Sequence, residues 1–155
     1  MATLLTLHVV ISLVAIAAGL VMAAALLGTP PRHRASVLFL WTTILTSVSG
    51  FPLPADRILP SHIVGAISLV LLAVAAVAWY QHRLAGGWAR TWVVTALASL
   101  YLNVFVLVVQ AFRRIPALHA LAPTEAEPPF AIAQGAVLLG FVAVTVAALR
   151  RARRA

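Results

Sequence analysis

The chain has 155 residues, 63% of them hydrophobic and 9% charged, with a formal charge of +8 and a mean hydropathy of +1.06. So little charge is foreign to a soluble domain of this size, so the expected fold class is all-α, a polytopic transmembrane helical bundle forming a single domain over residues 1–155. With no cysteine, disulfide exchange and thiolate metal sites are excluded; nucleic acid is excluded as a partner because the arginines stand at the ends of apolar runs, not on one basic face.

Residues 3–27 are an apolar run long enough to cross a hydrocarbon core of about 30 Å. No positive n-region precedes the run, so it reads as an uncleaved first helix although Ala23 and Ala25 mimic a cleavage site. His8, Ser12, Ala15, Gly19 and Ala23 recur at helical spacing, a stripe of small residues with a histidine near its head that is expected to face other helices. Residues 28–35, GTPPRHRA, read as a loop because paired prolines cannot continue a helix, and His33 within it as solvated.

The second helix, 36–51, spans about 24 Å at 1.5 Å per residue and is expected to stop short, letting PLPADRILP dip toward the bilayer. Its hydroxyls (Thr42, Thr43, Thr46, Ser47, Ser49) are expected to bond carbonyls one turn back. The third helix, 61–80, has His62 in its first turn above the small residues Gly65, Ala66, Ala73 and Ala76. Residues 81–90 turn the chain with His82 solvated, and Trp79, Tyr80, Trp88 and Trp92 read as an interfacial belt. The fourth helix, 91–112, carries Ser99, Asn103, Gln110 and Arg114 along one side, with Asn103 read as helix-to-helix glue. The fifth, 130–149, is closed by RRARRA and expected to pack through Gly135 and Gly140.

His8 and His62 each head an apolar helix, and each hairpin resumes near a tryptophan, Trp41 or Trp92, so the first four helices suggest two similar hairpins. Five helices put Arg32, Arg34, Arg83, Arg90, Arg150, Arg151, Arg153 and Arg154 on one side and Arg57, Arg113 and Arg114 on the other. By the positive-inside rule the first side is cytoplasmic, giving N-terminus outside and C-terminus inside a bacterial inner membrane. Asp56, Glu125, Glu127, His8, His62 and His119 then belong to the outer, periplasmic side.

The cluster there admits several chemistries. His8 and His62 are candidate axial ligands of haem b, with Arg57, Arg113 or Arg114 facing the propionates. Histidines at a helix end that merely bond backbone or loop groups give the same pattern. With His119, Glu125 and Glu127 as further donors, the pair would instead suit zinc or copper, while a solvated stiff loop explains the acids equally well. Gln110, Arg113, Arg114 and Gln134 are suited to a quinone or lipid head group, and equally to snorkelling and helix glue. His8 and His62 are expected to project into one shared polar pocket near Gln110, Arg113 and Gln134, since burying such groups against lipid is costly, and Arg114 joins these five as a candidate cofactor-binding residue.

The stretch LNVFVLVVQAFRRIPALHALAPTEAEPPFAIAQ resembles stretches of small uncharacterised bacterial multi-pass membrane proteins. The resemblance covers about the last third of the chain, implies a bacterial membrane setting and brings no activity with it. Two function classes follow from the residues: a membrane protein holding a redox cofactor such as haem b for electron transfer near its outer face, or a non-catalytic accessory or assembly subunit that docks a partner membrane protein or a second copy through the proline-stiffened loop 115–129.

Overall fold

The computed structural model describes residues 2–28, 33–51 and 60–152. Asp56, Arg57, Arg32, Arg153, Arg154 and the segment expected to dip toward the bilayer lie outside the described residues, as does the His33 side chain. The described chain is all helix, with no strand. Its elements are α1 (Ala2–Leu27), α2 (His33–Gly50), α3 (Pro60–Ala76) continued by a π-helical turn (Val77–Gln81), α4 (Trp88–Arg114), α5 (Pro116–Leu121) and α6 (Pro128–Ala152). Four of these stretches are long and apolar enough to cross a membrane: Thr3–Leu27, His62–Gln81, Trp88–Arg114 and Pro128–Ala152.

Several boundaries differ from expectation for identifiable reasons. α2 is described from His33, taking in His33, Arg34 and Ala35 that were expected in a loop. α6 starts on Pro128 because a proline in the first helical turn gives up an N–H that has no intrahelical partner anyway. Residues 115–129 were expected as a stiff loop, yet 116–121 coil into α5. The break lies at Ile115, held extended at φ −92°, ψ 113° as the residue before a proline must be, so α4 ends there and Pro116 opens the next turn.

The helices alternate in direction. At one end Arg151 of α6 donates from Nη1 to the Leu27 carbonyl at 2.7 Å and from Nη2 to that of Gly28, capping α1 with a cation at its negative end. The α3–α4 reversal is at this end too; Arg83, Leu84 and Gly86 all take positive φ there, and Leu84 N–H closes onto the Ala78 carbonyl at 3.0 Å. His82 stacks on Trp88 at 3.8 Å within this turn.

The packed core lies toward the same end. α4 is the hub, packing on α1, α2, α3 and α6. Met22, Phe39, Leu40, Leu72, Trp79, Trp92, Leu97 and Leu100 are buried together. Trp79 and Trp92 are therefore not members of an interfacial belt: the tight α3–α4 hairpin sets their rings 4.6 Å apart inside the protein. Gly19 admits close helix crossing, because a Cβ there would strike Leu100 Cδ1 and lie 2.8 Å from Phe39 Cδ2.

α6 is the outermost long helix. Ile132 and Leu139 are 69% and 71% exposed, which suits a lipid-facing surface. It does not pack through Gly135 and Gly140, since a Cβ at either would meet nothing. Phe130 against Phe112 (5.4 Å, edge-on), Phe141 against Tyr101 (5.8 Å) and buried Ala148 make its contacts instead.

Candidate ligand cavity at the open end

Away from the packed core the helices part around a partly enclosed cavity of about 430 Å³. Its walls are mostly apolar, among them Leu13, Ile16, Val64, Val106 and Leu107. Such a volume, apolar with a few convergent polar groups, is in the range of small-molecule sites.

His8 and His62 both line this one cavity, together with Gln110 and Arg114. His8 Nδ1 is 2.9 Å from Ser49 Oγ, and Ser49 Oγ donates to the Thr46 carbonyl at 3.2 Å. Where the Ser49 hydroxyl hydrogen goes to the Thr46 carbonyl, Nδ1 carries the imidazole proton and donates, which leaves the Nε2 lone pair as an acceptor or a ligand. The close seat comes from Gly50, where a Cβ would be 3.4 Å from His8 Cε1. His62 stacks on Phe51 at 5.9 Å and 14°, so both imidazoles are positioned by the C-terminal end of α2. Arg114 Nε donates to Gln110 Oε1 at 3.3 Å, one turn apart on α4.

Arg113, Gln134 and His119 are placed elsewhere. Arg113 is turned to the loop, where Nε and Nη2 donate to the two carboxylate oxygens of Glu125, the second at 3.2 Å. Gln134 ties α6 to α4 by donating from Nε2 to the Phe105 carbonyl at 3.2 Å. His119 is exposed on α5. Among the described residues no three of His, Asp and Glu converge as metal ligands, so His8, His62 and His119 are not assembled into a zinc or copper site.

The expected loop acids have structural partners. Glu125 sits at φ 62° and grips Arg113. Glu127 accepts from Thr124 Oγ1 at 2.8 Å and from the N–H groups of Thr124 and Ala126. Those bonds, the Thr124 hydroxyl first, hold the Glu127 carboxyl below its ordinary pKa.

The floor of the cavity holds two groups that stand out. Asn103 and Ser68 line it, and Asn103 Nδ2 and Ser68 Oγ are buried with no hydrogen-bond partner among the described residues. Ser68 is only 2% exposed. They are at matching depth, because Trp79 and Trp92 pair across α3 and α4 and the same stretch of helix leads from each to Ser68 and Asn103. Asn103 read from sequence as helix glue, and Ser68 gave no signal, since a lone serine in an apolar helix ordinarily bonds its own backbone. Other hydroxyls here do so: Ser12 to Val9, Thr46 to Thr42, Ser99 to Thr95.

Compared with protein-family models, curated proteins and solved structures, the chain matches none.

Proposed function

We propose that this chain is a membrane protein that binds a small lipid-soluble ligand of the redox-cofactor class in the cavity between His8 and His62. The observation that carries the reading is a cavity of about 430 Å³ with apolar walls and, among the residues at its floor, Ser68 and Asn103, each with a buried polar atom unpartnered among the described residues. A buried polar atom without a partner costs about 1–3 kcal/mol, a cost that a hydrogen-bonding ligand removes. In this reading all five long helices cross a bacterial inner membrane, and the open end faces outward because Arg34, Arg83, Arg90, Arg150 and Arg151 gather at the packed end. Native mass spectrometry of the protein released from its own membrane tests it. One retained ligand per chain that is not a phospholipid is the expected result; a bare chain contradicts it.

A b-type haem is the second reading, favoured by the two imidazoles lining one cavity and by the His8–Ser49 bond, which orients one nitrogen away from Ser49. It requires a Soret band in the visible spectrum that both His8→Ala and His62→Ala abolish. A colourless protein removes haem and leaves other lipophilic ligands in place.

A further inference from the structure

We propose that the ligand is a para-quinone, a flat ring with carbonyl oxygens on opposite edges, held between the floor pair Ser68 and Asn103 and the rim group of Gln110 and Arg114. This rests on the reading of the cavity as a lipophilic-ligand site and names the chemistry that it selects.

The polar groups select acceptors. Asn103 Nδ2 is a donor only and Ser68 Oγ can donate; both are buried and unpartnered among the described residues, on side chains of residues that line the cavity. Arg114 at the rim adds a cation, and among the described residues no carboxylate lines the walls, which favours an acceptor ligand over a cationic or amine one. A phospholipid would satisfy Arg114 with its phosphate but lay acyl chain against Ser68 and Asn103, leaving both unserved. A ligand with acceptors at both ends and an apolar middle serves all of them.

The spacing agrees. Gln110 stands about 10 Å above Asn103 and His62 about 9 Å above Ser68 at 1.5 Å per residue. Opposed carbonyls on one six-membered ring, with a hydrogen bond of about 2.8 Å to each, separate their donors by roughly 11 Å. Between the two levels Leu13, Ile16, Val106 and Leu107 offer apolar surface to the ring faces.

The test titrates the full chain in phospholipid nanodiscs with decylubiquinone and, separately, with decylbenzene, which has the same tail and no carbonyl. Saturable binding of one decylubiquinone per chain, weakened about tenfold by Asn103→Leu and severalfold by Ser68→Ala, is expected from the loss of one hydrogen bond each. If Asn103→Leu does not elute as a folded monodisperse species, Ser68→Ala decides alone. Equal binding of decylbenzene, or quinone affinity unmoved by the floor variants, overturns the quinone while leaving a lipophilic cavity. Binding of neither probe overturns both.

Discussion

Nδ1 of His8 on α1 and Oγ of Ser49 on α2 are 2.9 Å apart, and this bond decides which imidazole nitrogen is left for the cavity. Ser49→Ala removes the acceptor and frees the ring to exchange tautomers. ¹⁵N-histidine NMR in lipid should show a protonated Nδ1 at His8 in the parent and a mixture in the variant, with a stability loss of about 0.5–1 kcal/mol. A parent already mixed would show that the bond does not orient the ring.

Gly19 and the pair Gly135 and Gly140 should behave oppositely. Gly19→Ala drives a methyl into fully buried Phe39 and Leu100, costing about 1–3 kcal/mol in thermal unfolding. Gly135→Ala and Gly140→Ala meet open space and should leave the midpoint unchanged or raise it slightly, since alanine is the better helix former.

How much of this was legible beforehand depends on whether one helix or several supply the signal. Apolar runs of spanning length and the paired prolines mark helices locally, so their existence could be read directly. Gly19 in a stripe below His8 was likewise readable, because small residues at helical spacing imply a close neighbour. Trp79 and Trp92 were misread because each stands near a helix end, where tryptophan commonly meets the headgroups; only the tight turn with Leu84 at φ 59° folds one onto the other. Ser68 and Asn103 were illegible as a pair for the same reason, their shared level existing only once α3 lies on α4. Arg113 and Glu125 are near in sequence, but α5 between them is what closes their contact.

Arg151 should act at a distance in sequence. Its guanidinium caps the last carbonyls of α1, so Arg151→Ala should lower stability by about 1 kcal/mol. Arg151→Lys, unable to serve two carbonyls with a planar fork, should recover only part of it. Differential scanning fluorimetry in detergent reads both, and an unchanged Arg151→Ala midpoint would contradict the cap.

The 122–127 turn should loosen in acid. Because the folded Glu127 pKa lies below its unfolded value, its contribution is fully present above the ordinary carboxylate range and is lost as pH falls through the depressed value. Protection factors for the Thr124 and Ala126 amides should therefore hold at neutral pH and drop as pH falls through the depressed value, whereas Glu127→Gln should flatten that dependence. Equal pH profiles in the two proteins would show that the carboxylate does not order the turn.

Filling the cavity is the most direct measurement of whether it is a ligand site. Val106 lines it, and Val106→Trp adds a ring to existing space, so the variant should fold with an unchanged or higher melting temperature. Native mass spectrometry of parent and variant, released from the same membranes, should find the ligand on the parent and not on Val106→Trp. A parent without ligand, or a ligand retained equally by both, would contradict the assignment of this cavity as the binding site.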